Sequence, residues 1–145
     1  MRLLLWHCAK LGTRDVRKSN RPAGIEEISG KPTIHAFSDV LAAFVCVEAT
    51  DAHAAVEEGA EEIVSISREL MCDEVVIVPF AHLTSDLMTD SATAKSLVEQ
   101  VASAVAAAVP KTTLTSFGFH KEFELHFVAK GHPRAVAFRQ IPNQR

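Results

Sequence analysis

Leu41-Ala42-Ala43-Phe44-Val45-Cys46-Val47 is an unbroken apolar run, closed by Glu48 and the turn-prone Thr50-Asp51, and it reads as a buried strand. From Ala52 to Met71 the period changes. Val56, Ala60, Ile63, Ile66 and Leu70 recur at steps of three and four, with glutamates on the remaining face, which is the pattern of an amphipathic helix. Thr50 or Asp51 is its expected cap. Val75-Val76-Ile77-Val78, stopped by Pro79, is a second apolar strand. Strand, helix and strand in that order predict a right-handed crossover between parallel strands in a mostly covered sheet.

Working outward, Leu3 to Cys8 reads as another short buried strand. The stretch after it holds Gly12, Pro22, Gly24, Gly30 and Pro32, so loops or short edge hairpins are expected there. A second helix is predicted from about Ala92 to Val109, with Leu97, Val101, Val105 and Ala108 on one stripe and Pro110 as its stop. In the last third, Phe117, Phe119, Phe123, Leu125 and Phe127 share one parity, and His120, Glu122, Glu124 and His126 share the other. Lys121 falls on the apolar side. Such a lysine is either half-buried and tuned or snorkelling at a strand edge, and Gly118 offers a bulge that would return it to solvent. The expected fold is α/β: one compact domain over residues 1–145, a mixed sheet with two main helices.

The composition agrees with a folded domain. The chain of 145 residues is 48% hydrophobic and 23% charged, with mean hydropathy +0.11, far from the signature of disorder. No apolar run approaches the roughly 20 residues that cross a bilayer, and the opening Met1-Arg2-Leu3-Leu4-Leu5 is too short for a signal peptide. A cytoplasmic protein with no membrane partner is expected. Cys8, Cys46 and Cys72 are widely spaced in or beside apolar runs, as reduced core thiols are. The net charge of −3 argues against a strongly nucleic-acid-seeking surface overall. The charges are nevertheless segregated: basic residues gather between Lys10 and Lys31 and after Pro110, while acidic ones dominate from Glu48 to Glu74. That distribution permits a nucleic acid on one face, and it equally describes a solvated acidic helix between basic loops.

Few motifs carry chemistry by themselves. His82 follows closely on the Val75–Val78 strand, where open α/β sheets collect ligands; a loop capped by Ser85 or Asp86 explains the same residues. His120, His126 and His132 recur every six residues, a spacing unlike any zinc motif. No metal or cofactor is expected. Ser85 stands in no nucleophile elbow, no Cys-His signature occurs, and phosphate-loop and dinucleotide glycine patterns are missing.

The segments Pro79-Phe80-Ala81-His82-Leu83-Thr84-Ser85-Asp86-Leu87, Phe117-Gly118-Phe119-His120-Lys121-Glu122-Phe123 and Lys130-Gly131-His132-Pro133, taken together and in order, resemble the N-terminal editing domain of archaeal threonyl-tRNA synthetase. The likeness extends to Met1–Leu5 with His7, to Ala43-Phe44-Val45-Cys46-Val47-Glu48 and to the acidic helix; Lys10 to Asp39 matches poorly. The resemblance implies a D-aminoacyl-tRNA deacylase-like fold, usually a homodimer, that binds the aminoacyl end of threonine tRNA carrying serine and hydrolyses the ester. It assigns catalysis to Lys121 and His82. Substrate contacts fall to Val45, Pro79, Phe80, Ala81, Phe117, Gly118 and His120. Two positions depart from the family pattern: His120 stands where tyrosine is frequent, and Val136 occupies the glutamate position of a Pro-x-x-Glu motif.

Serine lacks only threonine's methyl, and such a difference yields roughly 10–200-fold discrimination, so a threonine site needs a second, smaller sieve. The resemblance therefore implies an ester hydrolase that spares threonyl-tRNA, assisted by the 2′-hydroxyl of the terminal adenosine. A synthetase catalytic domain is its partner in cis or in trans. Lys121→Met is expected to slow it with little loss of stability. A D-aminoacyl-tRNA deacylase and a noncatalytic tRNA-binding or subunit-pairing module are the rival readings.

Overall fold

The computed structural model describes residues 1–127 and 132–142, so Lys130 and Gly131 of the third motif lie outside the described residues. The elements run β1 (Arg2–Lys18), α1 (Ile25–Ile28), β2 (Ile34–Cys46), α2 (His53–Glu69), β3 (Glu74–Pro79), α3 (Ser91–Ala108), β4 (Lys111–Leu114), β5 (Phe119–Phe127) and β6 (Val136–Gln140). They form one mixed sheet ordered β4-β3-β2-β1-β5, with β6 also on β1. The decisive segment behaves as read: β2 and β3 pair in parallel, Leu41 opposite Val75 and Val45 opposite Pro79, with α2 between them in sequence. β4 adds in parallel beyond β3.

Residues 10–39 depart from expectation. β1 does not stop at Cys8 but continues to Lys18, pairing antiparallel with β2 from Arg2 opposite Cys46 to Arg14 opposite Ile34. Its other edge is shared, residues 2–6 with β6 and residues 8–18 with β5. The extension was hidden because the inward positions after Leu11 are Thr13 and Asp15, both buried, so apolar alternation ends while the strand does not. The irregularities also lie elsewhere: the β1–β5 register shifts in β1 between Cys8 and Lys10 and between Asp15 and Arg17, and Gly118 instead makes a left-handed turn at φ 83° just before β5.

The helices cover one face only. Leu3, Leu5, Leu41, Ala43, Val45, Val75 and Ile77 pack there against Ile63 and Ile66 of α2 and Leu97, Val101 and Val105 of α3. Each fully buried aliphatic side chain contributes roughly 1.5–3 kcal/mol relative to exposure. Packing on that scale outweighs a cap, worth about 1 kcal/mol. Accordingly α2 starts after Ala52 with no side-chain cap. The expected cap, Asp51, is engaged elsewhere, accepting from the Glu48 amide at 2.7 Å and from the Met1 α-amine. α3 is capped by Asp90, which accepts from the Thr93 amide.

On the opposite face, Cys8, Leu11, Val40, Ala42, Phe44, Val76 and Val78 form a second cluster made of strand residues alone. The sheet is therefore not covered on both sides. Phe123, Leu125, Phe127, Val136 and Phe138 remain exposed, and Trp6 meets Phe127 edge-on at 5.2 Å. Cys8, Cys46 and Cys72 are free and buried. Among the described residues, no helix is long and apolar enough to cross a membrane.

Candidate active site

β2 and β3 run out side by side at Val45 and Pro79, and a cleft of about 740 Å³ opens beyond them, at the strand ends where α/β sheets collect ligands. Val45, Pro79, Phe80, Ala81 and His82 line it from that side; Phe117, Gly118, His120 and Lys121 line it from β5 and the turn before it. Nine residues chosen from segments far apart in sequence thus converge on one cavity. Ser19, Asn20, Arg21 and Pro22, from the poorly matching segment, close one side, while Ala94 and Val98 of α3 add small apolar surface.

Lys121 is neither half-buried nor snorkelling: its side chain is 3% exposed and faces Asp15, 2% exposed. Nζ donates to Asp15 Oδ1 at 2.6 Å, to Ser116 O at 2.8 Å and to Ser116 Oγ at 2.6 Å, so three acceptors meet the three ammonium protons. Asp15 Oδ2 accepts from the Thr33 amide at 2.8 Å, from Thr33 Oγ1 at 3.0 Å and from Ser116 Oγ. Burial pushes the Lys121 ammonium below its ordinary value, against the opposing hydrogen bond and charge of Asp15. Burial also raises the Asp15 carboxyl, but bonds from Lys121, Ser116 and the Thr33 amide outweigh it and hold the group below its ordinary value. A lysine locked to a carboxylate keeps its proton. With its three protons taken up in this way, the pair offers the cleft an oriented dipole, not a neutral amine base.

His82 is exposed, with its ring edge-on to Phe80 at 5.2 Å. The loop beneath it is pinned through Glu48. Oε1 of Glu48 accepts from Thr84 Oγ1 at 2.7 Å and from Arg2 Nε at 2.8 Å, and Arg2 Nη1 donates to the Leu83 carbonyl at 3.1 Å. Thr84 Oγ1 in turn accepts from the Asp86 amide at 3.1 Å, so Thr84, rather than Ser85 or Asp86, organises the turn. Burial raises the Glu48 carboxyl, but Thr84, the Met1 amine and Arg2 outweigh it and hold the group below its ordinary value.

Gly118 admits no side chain. A Cβ there would sit 2.2 Å from Ser29 Oγ, on a backbone that L residues rarely adopt. His120 is exposed, opposite Arg17. Val136 lies opposite Trp6 on β6 and is not part of the cleft lining. The evenly spaced histidines do not gather: His126 lies 3.4 Å from Glu124, and His132 Nδ1 accepts from the Arg134 amide. Asp15, the nearest partner of Lys121, escaped the sequence reading. The only signal for it was parity with Leu11 and Thr13.

Comparison with known proteins gives a consistent answer. The archaea-specific editing domain of threonyl-tRNA synthetase matches residues 1–141. A threonine–tRNA ligase of Thermofilum pendens is 32% identical over 100% of this chain and 23% of its own length; one from Methanoculleus marisnigri is 32% identical over 97% and 22%. The chain therefore spans less than a quarter of the curated relatives it matches. Among solved structures, the c-Myc DNA unwinding element binding protein superposes with TM-score 0.66, covering 98% of this chain and 99% of that one at 9% identity. At that identity the likeness is one of fold, and the fold is the expected single-domain, D-aminoacyl-tRNA deacylase-like α/β class.

Proposed function

The chain belongs to the archaea-specific editing domain family of threonyl-tRNA synthetase, and from that premise we propose that it hydrolyses the ester of serine mischarged on threonine tRNA while sparing threonyl-tRNA. Editing of this kind is ester hydrolysis, which needs an oriented water, a proton acceptor and donors for the developing oxyanion. The observation that carries the reading is the convergence of the Ala81-His82 and Gly118–Lys121 segments on one cleft at the strand ends. The small apolar surface at Val45, Ala94 and Val98 suits a side chain of serine's size, and an added methyl would crowd it.

Lys121 and Asp15 act as a fixed dipole that positions the aminoacyl-adenosine, with backbone amides near Ala81 supporting the oxyanion. His82, on its pinned loop, orients the pocket. Activation of water then falls to the substrate: the 2′-hydroxyl of the terminal adenosine lies beside the ester and holds the attacking water or stabilises the oxyanion. Incubating the protein with seryl-, threonyl- and D-aminoacyl-tRNA and following amino-acid release tests this. Release from the seryl ester supports it, release confined to D-aminoacyl esters moves the assignment to D-aminoacyl-tRNA deacylation, and no release at all leaves a noncatalytic module.

The bare sheet face suits a second copy of the chain, since Phe123, Leu125, Phe127, Val136 and Phe138 lie exposed and contiguous apolar surface favours association. A homodimer is therefore part of the reading, and sedimentation at monomer mass would refute it. Because the relatives are several times longer, a synthetase catalytic domain joined in cis or met in trans is the remaining partner, in the cytoplasm where tRNA is charged.

A further inference from the structure

We propose that a borderline-soft divalent cation of the zinc class binds at the end of the sheet away from the cleft, held by His7, Asp39 and Cys72. The imidazole nitrogen, carboxylate oxygen and thiol sulfur of these residues lie within 4.8 Å of one another. They come from β1, from within β2 and from the turn between α2 and β3, so only the folded chain assembles them. His7 Nε2 is 2.7 Å from Asp39 Oδ1. The Cys72 sulfur points at the Asp39 and Glu74 carbonyls, at 3.6 and 3.5 Å.

The donor set selects the ion. One imidazole, one thiolate and one carboxylate suit zinc or cobalt and not magnesium or calcium, which prefer oxygen ligands alone. Thiolate and carboxylate supply two negative charges and neutral imidazole none, so a divalent ion leaves the centre neutral, as burial requires. His7 is 4% exposed at its side chain while Asp39 is 70% exposed. That leaves a solvent side for a water in the fourth position. Tetrahedral geometry with bonds of about 2 Å places nitrogen and oxygen about 3.4 Å apart. The present 2.7 Å contact therefore opens by about 0.7 Å, within reach of an exposed carboxylate. Asp39 also holds a left-handed backbone, φ 51°, and strain of that sort persists where surrounding structure over-determines it.

The site is separate from the cleft. Cys72 precedes β3 and Pro79 ends it, and the six residues of that strand span roughly 20 Å. The bound ion would tie β1, β2 and the α2–β3 turn together. On binding, the Cys72 S–H bond breaks, a sulfur–metal bond forms and the proton leaves to solvent.

Cobalt(II) titration of the chelator-treated protein tests the proposal, because a thiolate ligand produces a sulfur-to-cobalt charge-transfer band that exposed histidines cannot. The expected result is one cobalt per chain with that band, displaced by zinc, absent in Cys72→Ala and retained in Cys8→Ala and Cys46→Ala. Asp39→Asn, at an exposed side chain, keeps the fold intact and should weaken binding by about tenfold or more, since even outer-sphere changes cost that much. A titration without the band, a band that survives Cys72→Ala, or unchanged affinity in Asp39→Asn would overturn it.

Discussion

Replacing Lys121 by methionine removes half of a buried ion pair, and the stranded half sets the outcome. Methionine approximates the lysine stem in volume, so the packing change is small. Asp15, 2% exposed, is left with a buried carboxylate and no cation. Breaking a buried pair in this way costs roughly 3–5 kcal/mol. Asp15 keeps its bonds from Thr33 and Ser116, which favours the lower end, about 3 kcal/mol. For a chain of 145 residues that lowers Tm by roughly 6–12 °C. The sequence alone suggested little loss; the presence of Asp15 reverses that expectation. Asp15→Asn combined with Lys121→Met removes both charges and should recover most of the loss.

The pH dependence has a definite sign. In the native protein the Asp15 carboxyl is held below its ordinary value of 3.8. Its stabilisation is full above that value and is lost as pH falls through the folded-state value. In Lys121→Met the largest opposing partner is gone and burial raises the group, so the folded state binds the extra proton and the variant is relatively stabilised as pH falls. Urea denaturation followed by circular dichroism should show the gap between the two proteins narrowing from pH 7 toward about pH 5. A variant within about 0.5 kcal/mol of the native protein at pH 7, or a gap independent of pH, would refute the buried-pair reasoning.

Other outcomes follow from the same geometry. A seryl-tRNA ending in 2′-deoxyadenosine should be cleaved on the order of 10²-fold more slowly or worse in single turnover, and a normal rate would redirect the search to a protein base. His82→Ala, at an exposed ring, should leave stability within about 0.5 kcal/mol and slow deacylation less than Lys121→Met; an equal collapse in rate would contradict its orienting role. Thr84→Val removes the bond to Glu48 and the acceptor for the Asp86 amide, so a loss of about 1 kcal/mol with slower turnover is expected from paired denaturation and rate measurements. Gly118→Ala should cost about 2 kcal/mol or more, and a neutral result would mean that Ser29 moves aside freely.

The parts of the fold that were legible are those where one period dominates. The apolar runs of β2 and β3 and the three-four spacing of α2 record burial directly, and the stop at Pro110 records the backbone chemistry that ends α3. β1 beyond Cys8 was illegible because its inward side chains, Thr13 and Asp15, are polar, and Asp15 is satisfied by partners more than a dozen residues away, Thr33, Ser116 and Lys121. The site divides the same way. His82 and Lys121 could be singled out from strand ends and parity, whereas the ammonium's partner, Asp15, faces Lys121 only through the pairing of β1 with β5, which no local pattern marks. Asp51 beside α2 looked like a cap, yet a tertiary contact outbid the local one. His7, Asp39 and Cys72, more than thirty residues apart in turn, meet through strand pairing and a crossover, so no spacing motif announces them.

Single-turnover hydrolysis of seryl- and threonyl-tRNA(Thr) at saturating protein reads selective deacylation in the cleft without interference from product release. The seryl ester should be cleaved at least about tenfold faster than the threonyl ester, and equal rate constants for the two would rule out a cleft that sieves by the methyl group.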